Sequence, residues 1–134
     1  MPAEQGYQLL LIEPSALVRG IVVSVARELQ LAQVHQTGSL ATAAQWLGER
    51  QMDGIFLALH DPGPALALLD RLRQRKLLCD ADAPVVAMLP QGQDKLLDAL
   101  RERDVKRVLP LPFRIREVID AMYAIWPYAR PRQA

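Results

Sequence analysis

Side chains with catalytic potential are few in this sequence, and they lie far apart along it. Glu13 follows one apolar run, and His60 and Asp61 follow another. Hydrolysis by paired carboxylates needs two neighbouring acids with separated pKa values, and a catalytic triad needs a nucleophile, a base and an orienting acid. Neither set can be assembled from these residues. The sequence therefore predicts a protein that is not an enzyme.

Motifs that bind nucleotides or metals are also missing. The chain contains no G-x-x-x-x-G-K-[ST] and no G-x-G-x-x-G, so it lacks the glycines that let a backbone approach a phosphate. Its one cysteine, Cys79, and its two histidines form no pairs at zinc-ligand spacing. We expect no cofactor and no metal. We also expect Cys79 to be inert, because the neighbouring acids Asp80 and Asp82 cannot stabilise a thiolate.

The elements that position these residues can be predicted from the apolar pattern. Leu9 to Ile12 and Ile55 to Leu59 are continuous apolar runs, which are typical of strands buried on both faces. The full set of predicted strands is 9–12, 34–37, 55–59, 84–89 and 108–109, of which 34–37 is the weakest and is expected at the periphery.

Apolar residues spaced three and four apart predict a helix after each strand. The first helix spans about 15–30 with Ser15 as its N-cap, and Ser39 caps the second. The other three have their apolar stripes at 68–72, 96–100 and 115–122.

Strands that alternate with helices predict a parallel sheet covered on both faces, because each connection returns across the sheet with the same hand. In such sheets the functional crevice lies beyond the carboxyl ends of the strands. The residues at those ends are Glu13, Pro14, Ala58 to Asp61, Leu89, Pro90 and Leu111.

Length and charge limit the classes of protein that remain. A chain of 134 residues is one domain, which we place at 1–126, and the polar, proline-broken segment 127–134 is expected to be a flexible tail. A net charge of +1 is too small to drive contacts with nucleic-acid phosphates. The first apolar run is too short for a signal sequence or a membrane span. We therefore expect a cytoplasmic protein that binds neither nucleic acid nor membrane by this domain.

The order and spacing of the segments resemble the receiver domain of bacterial two-component response regulators, over about residues 7–125. The resemblance is carried by Leu-Leu-Leu-Ile-Glu13-Pro14-Ser15, Met52-Asp53-Gly54-Ile-Phe-Leu-Ala58-Leu-His-Asp-Pro62-Gly63, Pro84-Val-Val-Ala-Met-Leu89 and Val108-Leu-Pro-Leu111-Pro112-Phe113. It implies an α/β fold of the flavodoxin-like, doubly wound (βα)5 type. The implied sheet has five parallel strands in the order 2-1-3-4-5.

Departures from the family pattern fall on the residues that carry out phosphotransfer. Ala58 stands where the resemblance implies the phosphate-accepting Asp, and Glu13-Pro14 replaces the acidic pair that would hold Mg²⁺. Leu89 replaces the hydroxyl residue of the fourth strand, and Leu111 replaces the lysine before the Pro-Phe corner. A hard cation that depends on oxygen ligands loses most of its site. The resemblance thus implies the receiver fold without the receiver's chemistry.

His60 and Asp61 each allow two interpretations. His60 could sense pH, because imidazole titrates near neutrality, and Asp61 could replace the lost acceptor from three residues further on. Asp-Pro-Gly is ordinary turn chemistry. We favour a loop histidine without a role and an Asp61 that caps the third helix or faces solvent.

Basic residues are concentrated in the second half of the chain. Residues 1–67 carry a net charge of −3 and the remainder carries +4. In the family, the face formed by the fourth helix, fifth strand and fifth helix commonly makes dimers or docks partners, and mixed charge suits a two-fold contact. An ordinary solvated surface is the equal alternative. The residues of this expected interaction face are Arg101, Arg103, Lys106, Arg107, Arg116 and Asp120.

These observations favour a signalling module of a two-component or phosphorelay system that acts by phosphorylation-independent protein-protein interaction. Its expected partner is another signalling protein, a fused output domain or a second copy of the chain. The alternative is a small-molecule sensor that uses an apolar strand-end pocket around Ala58, Leu89 and Leu111. A flavin carrier is disfavoured because the loops lack a Ser/Thr/Gly-rich phosphate cradle.

Incubation with acetyl phosphate and Mg²⁺ should leave the mass of the protein unchanged, because no acceptor carboxylate stands at position 58. Intact-protein mass spectrometry measures this directly. A mass increase of one phosphoryl group, located on an aspartate, would contradict the expectation.

Overall fold

Five parallel strands form one sheet, in the order β2-β1-β3-β4-β5. The structure is a computed structural model and describes residues 6–131. Every strand pair is parallel, and the order confirms the predicted flavodoxin-like fold. The strands are β1 (Tyr7–Ile12), β2 (Ala32–Thr37), β3 (Gly54–Ala58), β4 (Val85–Leu89) and β5 (Arg107–Pro110).

Five helices connect and follow the strands. They are α1 (Ala16–Glu28), α2 (Leu40–Glu49), α3 (Pro62–Arg73), α4 (Leu97–Glu102) and α5 (Ile115–Ile125), with single 3-10 turns at Asp94–Leu96 and Pro127–Ala129. Helix α3 begins at Pro62, inside the segment predicted as a turn, because proline fits the first turn of a helix. None of the helices within residues 6–131 has the length and apolarity required to cross a membrane.

Alternate side chains of β1, β3, β4 and β5 enter two separate cores. Leu10 and Ile12 of β1 join the core that also contains residues of α2 and α3, whereas Leu9 and Leu11 join the core of α1 and α5. Every residue of β3 and β4 is buried. The continuous apolar runs therefore behave as predicted for strands that are covered on both faces.

The end of α5 is fixed to the start of β3. Trp126 is buried, stacks on Tyr7 with ring centroids 4.6 Å apart, and donates its indole N–H to the carbonyl oxygen of Asp53 at 3.0 Å. Gly54 leaves the space that this packing needs. After Trp126, the Arg130 guanidinium lies over the Tyr123 ring. The predicted flexibility of residues 127–134 stays a prediction. Residues 132–134 lie outside the described residues.

Gly54→Ala should destabilise the protein by about 1–3 kcal/mol. The added Cβ would stand 2.8 Å from Ile125 Cδ1 and 2.9 Å from Trp126 Cζ2. Gly20→Ala is the matched control, because a Cβ there meets nothing within 4 Å inside α1; we expect it to stabilise by about 0.5–1 kcal/mol. Urea denaturation measures both changes. Equal stability of Gly54→Ala and the wild type would contradict this account of the packing.

Candidate functional site

Glu13 and His60 meet at the carboxyl edge of the sheet although they are 47 residues apart. β1 and β3 are neighbours, so the residues that follow them lie side by side. Of the polar and charged residues between 6 and 131, only Glu13 is buried, and its exposure is 0%. Its Oε2 accepts a hydrogen bond from the backbone N–H of Ser15 at 2.8 Å. His60 Nε2 lies 3.3 Å from Oε2 and 3.4 Å from Oε1, with 44% of the His60 side chain exposed.

The loop between β1 and α1 is held by Arg19. Its Nη1 donates to the carbonyl oxygens of Glu13 at 2.6 Å and Pro14 at 3.0 Å. Ser15 caps α1 as predicted, accepting from the N–H of Val18 at 3.3 Å. Two charged side chains thus bind backbone groups of this one short loop, Arg19 its carbonyls and Glu13 an N–H.

A cavity of about 290 Å³ lies beside this pair. Its lining residues are Ile12, Pro14, Gly38, Leu40, Ala58, His60, Asp61 and Pro64. Most of them are apolar, and Ala58 contributes only a methyl group. Asp61 occupies the N-cap position of α3, as expected, but its side chain makes no capping hydrogen bond.

The structure does not gather all the predicted pocket residues around this cavity. Leu89 is buried in the core on the α2 and α3 side of the sheet, whereas Ala58 belongs to the opposite core and Leu111 packs against that core. Leu89 and Leu111 do not line the cavity. Only Ala58, Pro14 and the neighbouring Glu13–His60 pair are brought together here.

The residues at this edge do not fit a magnesium ion. Mg²⁺ needs several oxygen ligands in octahedral geometry, but Glu13 is already bonded to the Ser15 N–H and lies against His60. Pro14 and Ala58 offer no side-chain oxygen. In the part of the chain that the structure describes, no three His, Cys, Asp or Glu side chains are grouped so that they could hold a metal.

Some charged residues of the predicted interaction face form ion pairs, and others do not. Arg103 is half-buried, and its Nε donates to Asp70 Oδ1 of α3 at 2.8 Å. Asp120 lies 3.8 Å from Arg130 Nη2, and Arg101 pairs with Asp98. Three cations remain exposed and make no ion pair among residues 6–131: Lys106, Arg107 and Arg116.

Arg73 binds the backbone of the segments that precede β4 and β5, a role that the sequence pattern did not indicate. Its guanidinium donates to four backbone carbonyl oxygens, at distances between 2.7 and 3.2 Å. These carbonyls belong to the loop before β4 and to the connection between α4 and β5. A single arginine at the end of α3 therefore holds the two backbone segments that lead into β4 and β5. Its four acceptors are Ala81, Ala83, Arg103 and Asp104.

Cys79 is a buried thiol. Burial is the main cause that raises the pKa of Cys79, and Asp80 and Asp53 raise it further. A raised pKa leaves little thiolate to react. The geometry supports the expectation that this cysteine is inert.

Among the comparisons with known proteins, the solved structures identify the fold. No family model matches the sequence, and no curated protein matches it. Among solved structures, a protein described as a response regulator from Chloroflexus aurantiacus is 22% identical, with a TM-score of 0.79 over 92% of this chain and 99% of its own. The signal receiver domain of an HD domain-containing protein from Pseudomonas fluorescens is 19% identical, with a TM-score of 0.77 over 93% and 98%.

A third structure is the receiver domain of a sensor histidine kinase from Pseudomonas aeruginosa, with a magnesium ion coordinated in its active site cleft. It is 15% identical to this chain, with a TM-score of 0.73 over 88% of this chain and 95% of its own. These likenesses show that the chain has the fold of response regulator receiver domains.

Glu13→Ala should lower the free energy of unfolding by about 1–3 kcal/mol, because it leaves the Ser15 N–H without its acceptor. His60→Ala should cost less than about 1 kcal/mol, because the His60 side chain is 44% exposed and water screens its interaction with the carboxylate. Chemical denaturation of the two variants gives the comparison. If His60→Ala costs as much as Glu13→Ala, the backbone N–H is not the main partner of the buried carboxylate.

Proposed function

We propose that this chain is a signalling module that uses the receiver fold without phosphorylation. The observation that carries the proposal is the end of β3, where Ala58 stands beside a cavity whose lining contains a single carboxylate, that of Asp61. No three His, Cys, Asp or Glu side chains within residues 6–131 are grouped to hold a metal. The proposal places the protein in a bacterial two-component or phosphorelay system, in the cytoplasm, as a non-enzymatic component.

The contrast with a solved receiver domain supports the loss of phosphotransfer. The Pseudomonas aeruginosa domain coordinates a magnesium ion in its active site cleft. At the carboxyl edge of this sheet, Glu13 is buried and bonded to its own loop, and Asp61 is the carboxylate that lines the cavity. An additional charge placed in such apolar surroundings would be costly. The pocket therefore suits a structural role better than a reaction.

Signalling without phosphate requires a surface that partners can recognise. The proposed surface is the α4, β5 and α5 face, on which Lys106, Arg107 and Arg116 are the exposed cations of the predicted set that make no ion pair among residues 6–131. Arg73 binds two carbonyls of the connection that leads into Lys106 and Arg107, so these two charges follow a fixed segment of backbone. Another signalling protein, a fused output domain or a second copy of the chain would bind there. Exposed charges of this kind set partner choice and association rate.

Binding of a small molecule at the strand ends is the second candidate function. The cavity of about 290 Å³ beside Ala58 favours it, since His60 and Asp61 add polar groups to an otherwise apolar lining. A ligand that binds only the native state raises the melting temperature. A metabolite that stabilises the wild type but not Ala58→Leu, in which the cavity is filled, would support the sensor over the interaction module.

Charge reversal on the proposed face should abolish association. We expect light scattering over a concentration series to give a mass above the 15.0 kDa of one chain, and the double variant Arg107→Glu, Arg116→Glu to return the mass to that of a monomer. Arg71→Glu reverses an exposed charge on α3 and should leave association unchanged. A wild type that stays monomeric and binds no other signalling protein would overturn the proposal.

A further inference from the structure

Strand β2 forms one edge of the sheet and is paired on one side only, with β1. The Leu31 carbonyl, just before the strand, accepts from the N–H of Tyr7 at 3.0 Å. The Thr37 carbonyl, at its end, accepts from the N–H of Glu13 at 2.9 Å. Backbone groups of successive residues alternate between the two sides of a strand, so every second residue from Leu31 to Thr37 faces β1.

The other residues of β2 turn their backbone groups away from the sheet. They are Ala32, Val34 and Gln36, and each presents an N–H and a C=O on the open edge. Within residues 6–131, no backbone hydrogen bond outside the regular elements reaches these groups. A row of unpaired backbone groups on a sheet edge is a template for a further strand.

The two edges of the sheet differ in how they are protected. β5, at the opposite edge, contains the charged Arg107 and ends in Pro110, which has no N–H to offer. β2 has the sequence Ala-Gln-Val-His-Gln-Thr, without proline, lysine, arginine or acid. Burial, and after it the nearby Arg50, lower the pKa of His35, so β2 is uncharged at pH 7. The β2 edge, unlike the β5 edge, is therefore open to another strand.

A cavity of about 240 Å³ lies beside this edge, between β2 and α2. Its volume corresponds to roughly eight water molecules, which is room for one large side chain. Side chains of a strand added to β2 would alternate between the two faces of the sheet, so every second one would point to the α2 side, where the cavity lies. No Asp, Glu, Lys or Arg lines it, and its lining residues are Leu10, His35, Gln36, Thr37, Thr42 and Trp46.

An exposed cation stands next to this cavity. The Arg50 guanidinium carbon lies 3.8 Å from the centroid of the Trp46 ring, and Arg50 makes no ion pair among residues 6–131. The contact with the indole face is attractive and leaves the guanidinium N–H groups for a carboxylate. Charge complementarity therefore favours an acidic residue in whatever binds along this edge.

We propose that the β2 edge binds an extended segment of a partner protein as an additional strand. The segment places an apolar side chain in the cavity beside Trp46 and carries an acidic residue on the same face for Arg50. Main-chain hydrogen bonds supply the affinity in this mode of recognition, and the side-chain pocket supplies the selectivity. β2 and β5 are opposite edges of the sheet, so this site does not depend on the function proposed above.

Amide hydrogen exchange of the ¹⁵N-labelled protein tests the proposal. The probe is the peptide acetyl-Ser-Val-Thr-Leu-Thr-Glu-Ser-amide, in which Val, Leu and Glu share one face. Saturating peptide should slow exchange at Ala32, Val34 and Gln36 by about tenfold or more, because these N–H groups then donate to it. Gln33 and His35, which face β1, are the internal reference and should change less. The proposal is overturned if the peptide does not bind up to its solubility limit, or binds and leaves the three outward hydrogens unprotected.

Two N-methylated forms of the probe identify which of its edges is bonded. One is methylated at the odd-numbered residues of the peptide and the other at the even-numbered residues. Only one of these sets of N–H groups can face β2, so one form should bind at least about tenfold more weakly and the other as tightly as the unmodified peptide. Equal affinities of the two methylated forms would contradict strand addition.

Variants of the protein test the same contacts from the other side. Gln36→Pro removes one outward N–H and leaves the β1 side of the strand unchanged, and should weaken peptide binding about tenfold. Gln36→Thr keeps the N–H and is the matched control, with binding equal to that of the wild type. Thermal unfolding verifies that both variants are folded. Equal binding by Gln36→Pro and Gln36→Thr would overturn the proposal.

Arg50→Glu tests the charge of the segment without touching β2. It should reverse the preference between the probe and a peptide in which Lys replaces Glu, and an unchanged preference would refute the acidic partner. A second copy of this chain is the competing occupant. Self-association that survives Arg107→Glu, Arg116→Glu and disappears in Gln36→Pro would assign the edge to that second copy and overturn the proposal.

Discussion

A parallel sheet that helices cover on both faces has to bury every side chain of its central strands, and the rest of this structure depends on that constraint. β3 and β4 are buried throughout, and alternate residues of β1 enter one core or the other. Chemistry is therefore confined to the strand ends, where side chains can reach a cavity. At the end of β3 this chain places Ala58, so this strand end presents only a methyl group to the cavity.

The Glu13 carboxylate shows how a buried acid is accommodated at the carboxyl edge of the sheet. Burying such a group without partners is costly, but here the Ser15 N–H and His60 both lie within hydrogen-bonding distance. Arg19 binds the carbonyls of the same loop. Polar residues at this edge thus support the backbone conformation of the β1–α1 connection. A carboxylate that already accepts the Ser15 N–H and lies against His60 has less capacity left to bind a metal.

Local pattern predicted the architecture well because burial on both faces leaves a strong signal in each strand. The apolar runs at 9–12 and 55–59 lie within or overlap β1 and β3, and the helices follow in the predicted order. The site depended on contacts between distant residues, which no local pattern reveals. The sequence favours His60 as a loop residue without a role, and in the structure it lies against Glu13. The sequence predicts Arg103 on the interaction face, and in the structure it pairs with Asp70 of α3.

The most direct test of phosphorylation-independent action is the response to a phosphoryl mimic. Amide spectra of the ¹⁵N-labelled protein would be recorded with and without beryllofluoride and Mg²⁺. We predict that the two spectra are the same, because the end of β3 has no carboxylate to bind the mimic. Saturable shifts that begin around Ala58 and extend to the α4, β5 and α5 face would show a working receiver switch and contradict the account.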